Sequence, residues 1–399
     1  MRNPIRAVEK LGQSIWYDNI RRGLVTSGEL RRMVLLDGVL GVTSNPAIFE
    51  KALAGSADYD GSLQALLSEG LTDPEVLFER LALEDIQLAA DVLHASYVDS
   101  RCQDGFVSIE VSPRLANDTQ ATIDEAVRLH TAVNRENVMI KVPGTTAGIP
   151  AIEALIAAGI PINVTLLFGV ERYVEVFEAY LRGLERRSAR GRDVQRLASV
   201  ASIFVSRIDT AIDSLVEQQL DQTRDPRRRR ALKALVGRVA IDNARVAYSH
   251  YRRLCSAERW QALARLGARP QRLLWASTGT KNPKYPKTHY VQNLLAPGTV
   301  NTLPTETFLA MRDVTRVGPA FTDDWEGNVE RARETLRTLA AVGISLEEVT
   351  DELLEAGLKS FEDAYERLLK TLDEKRQGIL RGAASGASED LGAEAAEVD

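Results

Sequence analysis

One lysine interrupts the apolar run Val138-Met139-Ile140-Lys141-Val142-Pro143. Side chains alternate faces along a strand, so Lys141 points away from Ile140 and Val142. The same alternation recurs along the chain. Ser108, Glu110 and Ser112 oppose Val107, Ile109 and Val111, and Asn163 and Thr165 oppose Ile162, Val164 and Leu166. Thr43 shares a face with Asn45, Trp16 with Asp18, and Ser202 with Phe204. With the apolar faces turned to an outer layer, Asp18, Asn45, Glu110, Lys141, Asn163, Thr165 and Ser202 converge from six strands on one interior. A buried polar group without a partner costs a few kcal/mol, and a core built for stability alone would avoid such a ring. For Lys141 taken alone, a core ion pair with one carboxylate is the other reading.

A lysine in a dry pocket can attack a ketone as a neutral amine. Burial favours the neutral amine, and nearby carboxylates favour the charged one. The iminium that follows is an electron sink and promotes cleavage of the adjacent carbon–carbon bond. That step needs a base on the substrate hydroxyl and a proton relay for carbinolamine formation and dehydration. Asp18 and Glu110 are the carboxylates available. Asn45 and Asn163 suit sugar hydroxyls, although Asn45-Pro46 also reads as a plain turn. Ser202 and Arg207 bracket the end of the sixth strand, and Ser277-Thr278-Gly279-Thr280-Lys281 follows the seventh, with Lys284 and Lys287 beyond. Late loops of this kind bind phosphate in barrel enzymes, and Lys281, directly after the small-residue turn, is the best candidate among these lysines. An ordinary solvated loop is the alternative for each of them.

The elements that must position these groups are eight short strands, at residues 14–18, 41–45, 106–111, 138–142, 160–165, 200–205, 272–277 and 299–303, each followed by a helical stretch. Eight βα units predict a parallel (β/α)8 barrel rather than an open doubly wound sheet. The spacing of Val174, Phe177, Leu181 and Leu184 predicts a helix over residues 171–190, one face apolar. A long helical region over 231–266 exceeds what a minimal barrel needs, and a helical extension over about 325–381 follows the last strand. Residues 1–381 thus read as one domain. Residues 382–399, rich in Ala, Gly, Ser and acid with a single leucine, read as a disordered tail.

Composition excludes several classes. The 399 residues are 44% hydrophobic and 27% charged, with a formal net charge of -6, so nothing draws the chain globally to nucleic acid or anionic membrane. No apolar run is long enough to span a bilayer. The N-terminus has charges but no signal-peptide pattern, and Cys102 and Cys255 lie far apart, which together point to a reducing cytoplasm. His94, His130, His250 and His289 show no metal-ligand spacing, so no metal is expected. The basic run from Arg224 to Arg230 lacks interleaved aromatics and reads as a solvated helix start, not a nucleic-acid patch. Gly144-Thr145-Thr146-Ala147-Gly148 resembles a phosphate loop only weakly; a βα turn with a Thr cap explains it as well.

The stretches Gln13-Ser14-Ile15-Trp16-Tyr17-Asp18-Asn19, Gly41-Val42-Thr43-Ser44-Asn45-Pro46-Ala47-Ile48-Phe49, Ser108-Ile109-Glu110-Val111, Ile140-Lys141-Val142-Pro143, Ile162-Asn163-Val164-Thr165-Leu166-Leu167-Phe168 and Ala201-Ser202-Ile203-Phe204-Val205-Ser206-Arg207 occur in one order. That order resembles the transaldolase family, in its longer bacterial form. The resemblance implies transfer of a dihydroxyacetone unit from sedoheptulose 7-phosphate to glyceraldehyde 3-phosphate, giving erythrose 4-phosphate and fructose 6-phosphate in the pentose phosphate pathway. It implies Lys141 as the Schiff-base lysine, Asp18 as the base for carbon–carbon cleavage, and Glu110 with Thr165 as a water-mediated proton relay. It further implies Asn45 and Asn163 on the dihydroxyacetone part, Ser202 and Arg207 on phosphate, Phe204 in the substrate-binding set, and no metal or organic cofactor. Shorter members place an arginine just after the seventh strand. Here Ala-Ser-Thr-Gly-Thr-Lys stands there, and Lys281 takes that role. The region 218–272 is longer than in short members and carries no assigned role, and the chain is too short to hold the sugar-phosphate isomerase fused to some long relatives. Two other readings stay open: a class I aldolase that releases the three-carbon unit, and a non-catalytic sugar-phosphate-binding barrel.

Overall fold

The computed structural model describes residues 3–318 and 321–394, with side chains to residue 381. Eight parallel strands close in chain order: β1 (Gln13–Tyr17), β2 (Gly41–Val42), β3 (Phe106–Glu110), β4 (Val138–Pro143), β5 (Ile162–Leu167), β6 (Ser199–Phe204), β7 (Arg272–Ala276) and β8 (Thr299–Leu303). β1 pairs with β8, so no strand edge is left open. Every predicted strand is present, within a few residues at its ends. β2 is the shortest, because Asn45 leaves the strand to cap the helix Pro46–Ala54. Its Oδ1 accepts from the Ile48 amide at 3.0 Å, and Pro46 supplies a preset φ in the first turn.

Register converts strand parity into a site. Glu110 lies opposite Lys141, and Lys141 opposite Asn163, so three polar side chains form one lateral row across β3, β4 and β5. Pro143 pairs with Thr165, one layer further along. The regular strand predicted over 160–165 instead runs to Leu167 and carries a bulge between Val164 and Leu167 in its pairing with β6. Leu166 there has φ +58°, a left-handed backbone that a branched side chain adopts only under tertiary constraint. The bulge turns Leu166 out of the alternation predicted for it, and its side chain meets the C-terminal helix near Gly357.

The outer layer follows the predicted periodicities with corrections at the breaks. The helix Val170–Ala189 buries Tyr173, Phe177, Tyr180 and Leu184 on one face. The region 231–266 is three helices, Pro226–Leu235, Val239–Ser256 and Glu258–Arg265, not one. The first break falls at Gly237, whose φ of +68° suits glycine and whose missing Cβ leaves room for the Tyr285 ring. Asp225 caps the Arg-rich helix by accepting from the Arg227 and Arg228 amides. The extension is likewise two helices, Trp325–Ala341 and Leu346–Glu394, separated at Gly343 with φ +80°. The second continues through residues 382–394, where composition predicted a tail, alanine being the strongest helix former. Residues 395–399 of that expectation lie outside the described residues.

The helix Leu346–Glu394 docks through a stripe of Phe361, Ala364, Tyr365, Leu368 and Leu372, spaced three or four apart and all buried. Arg367 pairs with Glu50 at 2.7 Å and Lys375 with Asp60 at 2.7 Å, while Arg114 links Glu366 to Glu75. These contacts hold it against the helices that follow β2. Among the described residues no helix is long and apolar enough to cross a membrane.

Candidate active site

A cavity of about 920 Å³ opens at the C-terminal ends of the strands. Asp18, Asn45, Lys141, Asn163, Thr165, Ser202, Phe204, Arg207 and Lys281 all line it. Nine of the ten residues singled out from the sequence thus meet in one place, and the tenth, Glu110, stands beside it as the partner of the amine.

Lys141 is 5% exposed. Its Nζ donates to Ser44 O at 2.9 Å and to Glu110 Oε2 at 3.2 Å, and lies 6.0 Å from the centre of the Phe361 ring. The ion pair of the core reading is therefore present, but its lysine also faces open volume. A purely structural pair would have no use for that cavity. Asp18 accepts from Thr43 Oγ1 at 2.6 Å, and Thr43 in turn meets Thr302 Oγ1 at 2.7 Å. Burial pushes the Asp18 carboxyl above the ordinary carboxylate range, opposed by the Thr43 hydroxyl and the charges of Lys141 and Lys281. Burial also raises Glu110; Lys141 opposes the shift and Asp18 adds to it. Both carboxyls are thereby moved toward the range where a base exchanges protons near neutral pH.

Asn163 is fully buried with both ends engaged: Nδ2 donates to Ser108 Oγ at 3.0 Å, and Oδ1 accepts from Ser202 Oγ at 2.7 Å. Ser202 was expected on phosphate. Its single proton is committed to Asn163, which leaves only lone pairs to offer, and these repel a phosphate oxygen. Thr165 Oγ1, by contrast, is buried with no hydrogen-bond partner among the described residues. Asn45 spends its carbonyl on the helix cap, as the turn reading expects, and also lines the cavity.

Arg207 begins the helix Ser206–Gln222 and lies over the Phe204 ring, 5.4 Å from its centre. Burial alone shifts it, pulling the guanidinium below its usual range. Among the described residues no carboxylate pairs with it. Lys281 is exposed at the cavity wall, and Lys287 lines it too, paired with Glu306 at 3.3 Å. Lys284 does not line it. Arg21 and Lys51, unremarked in the sequence, complete a basic rim. Nothing in their local sequence distinguishes them from other surface cations; only chain tracing brings them to the mouth.

The extended region finds a use here. Tyr285, in the loop that carries Lys281, donates to Asp213 at 2.6 Å, and Tyr290 donates to Asp209 at 3.0 Å. The Gly237 and Ala240 amides donate to those same carboxylates at 2.9 and 2.8 Å. The helix of Arg207, the extended region and the Lys281 loop are therefore tied together. The Gly144–Gly148 stretch is a packed turn: Thr145 Oγ1 accepts from the Gly148 amide at 2.9 Å and donates to Ala116 O at 2.6 Å, away from the cavity. Among the described residues no three His, Cys, Asp or Glu side chains are grouped to hold a metal ion.

A second cavity, of about 1170 Å³, lies at the opposite end and is lined by Ser14, Asp104 and Arg272 among others. It is the larger, but its charged side chains Asp104 and Arg272 are bonded to each other and to Ser14. Asp104 accepts from Ser14 Oγ at 2.8 Å, from Trp16 Nε1 at 2.9 Å and from Arg272 Nη2 at 2.9 Å. Size therefore does not single out the cavity that holds the lysine; the residues that line it do.

The transaldolase/fructose-6-phosphate aldolase family model matches residues 15–372. A transaldolase of Trichodesmium erythraeum is 44% identical over 375 residues, covering 94% of this chain and 97% of the relative. A Nostoc punctiforme protein named transaldolase 2 is 46% identical over 376 residues, with the same shares covered. A Neisseria gonorrhoeae transaldolase is 44% identical over 365 residues, covering 92% and 98%. With a match across nearly its whole length, and a closed eight-stranded barrel, the chain belongs to the transaldolase/fructose-6-phosphate aldolase family.

Proposed function

We propose that this chain is a transaldolase that moves a dihydroxyacetone unit from sedoheptulose 7-phosphate to glyceraldehyde 3-phosphate through a Schiff base on Lys141. The observation that carries the reading is the lateral row Glu110–Lys141–Asn163, facing a cavity that also holds Asp18 and the unpaired Arg207. Lys141 Nζ attacks the ketose carbonyl carbon; the carbinolamine loses water to give the protonated Schiff base. Glu110, hydrogen-bonded to that nitrogen, and Thr165, whose hydroxyl is unspent, carry the protons of these steps. Asp18 takes the proton of the substrate's C4 hydroxyl as the C3–C4 bond breaks, the electron pair passing into the enamine. The aldose phosphate leaves, and the acceptor aldose returns along the same path.

Asn45, Asn163 and Ser202 hold the hydroxyls of the three-carbon part, Ser202 as an acceptor. Phe204 supports Arg207, and Arg207 with Lys281 holds phosphate. No metal or organic cofactor has a role in this sequence of steps, and no nucleic acid or membrane is a partner. The compartment implied is the cytoplasm, in keeping with the free thiols of Cys102 and Cys255.

Borohydride added with fructose 6-phosphate tests the reading. Reduction is expected to leave a stable adduct on Lys141, located by mass spectrometry. Its absence in protein that binds the sugar phosphate favours a binding protein. Acceptor-independent release of the three-carbon unit at full rate favours the aldolase.

A further inference from the structure

The C-terminal helix reaches this cavity, although no strand-end motif announces it. Phe361 and Ser360 line the wall above Lys141, and the Phe361 ring is only 5% exposed. Gly357 lies one turn earlier on the same face. A Cβ on Gly357 would stand 2.9 Å from Leu166 Cδ2 and 3.5 Å from Arg207 Nη1. The glycine therefore lets the helix settle on the β5 bulge and beside the anion-binding arginine. That approach delivers the Phe361 ring to 6.0 Å from Lys141 Nζ. Among the described residues this ring is the one that lies over the amine, whereas Phe204 lies over Arg207.

We propose that the Gly357–Phe361 face of the C-terminal helix is a fixed lid over the Lys141 nitrogen that sets how often the three-carbon unit is passed to an aldose rather than lost. The proposal rests on Lys141 being the Schiff-base lysine. After aldose phosphate departs, the enamine has two fates. In transfer, its nucleophilic carbon forms a bond to the acceptor's aldehyde carbon, and the aldehyde oxygen takes a proton. In loss, that carbon takes a proton instead. Water then adds to the iminium carbon, the carbon–nitrogen bond breaks with a proton going to the amine, and dihydroxyacetone leaves. Loss needs a proton donor and water at the three-carbon unit without an aldose present. An apolar ring packed on that side withholds both, while the polar Glu110–Thr165 side remains for the water that product release requires.

Phe361→Ala opens the apolar side, and Gly357→Val lifts the helix without touching the ring. Two quantities are measured with fructose 6-phosphate: free dihydroxyacetone released without acceptor, and transfer to erythrose 4-phosphate. In Phe361→Ala the ratio of release to transfer is expected to rise about tenfold, and in Gly357→Val to rise in the same direction. Phe361→Val, a milder change, is expected to fall between native and Phe361→Ala, and replaces it should that variant not fold by circular dichroism. A ratio within about twofold of native in a folded Phe361 variant that still forms the borohydride adduct overturns the lid, since a merely structural ring would lower both quantities together. Failure of native protein to form the adduct at Lys141 overturns the Schiff-base reading instead, so the two failures are told apart.

Discussion

The two ends of the barrel hold similar residues put to opposite uses. Trp16 and Asp18 stand two positions apart on the same strand face. The Trp16 indole belongs to the N-terminal cluster, where Asp104 is bonded to Ser14, Trp16 and Arg272. Asp18 belongs to the C-terminal cluster, where Thr165 Oγ1 has no hydrogen-bond partner, and Arg207 no carboxylate partner, among the described residues. The Asp104 cluster is closed by mutual satisfaction, although Gln13 Oε1 at the same end has no partner among the described residues; the Asp18 cluster keeps capacity in reserve. A polar cluster that is complete contributes stability and uniqueness, and one that is incomplete waits for a ligand. The larger cavity lies at the Asp104 end, so volume alone does not pick out the cavity of the lysine.

That contrast can be broken by substitution at each end. Lys141→Ala is expected to lower turnover by at least ~10³-fold while the thermal midpoint stays near native. Coupled turnover assays and a melting curve check it; unfolding of the variant would return Lys141 to the core. Asp18→Asn comes next, with a loss of about 10²-fold or more in kcat as the base for bond cleavage is removed. The native enzyme should also lose kcat/KM as pH falls, because the ionised form of Asp18 is the active one. The midpoint of that limb should lie above 3.8, the ordinary aspartate value, since burial raises it.

At the other end, Arg272→Ala leaves Asp104 without its charged partner. It is expected to cost about 3 kcal/mol of stability, read by urea denaturation, with kcat per folded molecule unchanged. Arg207→Ala should divide between the classes of effect: KM for the sugar phosphate rises by on the order of tenfold, with a smaller fall in kcat. The smallest effect tests the tie among the helix of Arg207, the extended region and the Lys281 loop. Asp209 is pushed up to about 7 by burial. Between the unfolded value near 4 and that raised value, the native state holds the extra proton. Native stability should therefore decline as pH rises from about 4 to 7, and Asp209→Asn should flatten the slope of Tm against pH.

Residues 14–18, 138–142 and 162–165 show what was legible in advance. Period-two alternation is a property of the backbone itself, so a lysine or glutamate opposed to valines betrays an interior position without any knowledge of the neighbours. The order of eight such stretches then limits the closure to a barrel. The bulge at Leu166 was not legible, because its left-handed backbone is imposed by β6 and the C-terminal helix rather than by leucine. Ser202 was assigned from its place at a strand end, but which of two nearby polar partners receives its proton depends on a distance of 2.7 Å to Asn163.

The eight strand positions to within a few residues, the lysine and its carboxylates follow from short-range geometry and side-chain chemistry and can be read from the residues. How the elements dock sets which groups are spent: Asp104 is bonded three ways, Thr165 Oγ1 has no partner among the described residues, and Arg21 and Lys51 turn to the mouth. Docking likewise decides that Phe361, far along the chain, closes the wall above Lys141. Those outcomes depend on how separate elements dock, and docking is set by packing across the whole fold, which no local period encodes.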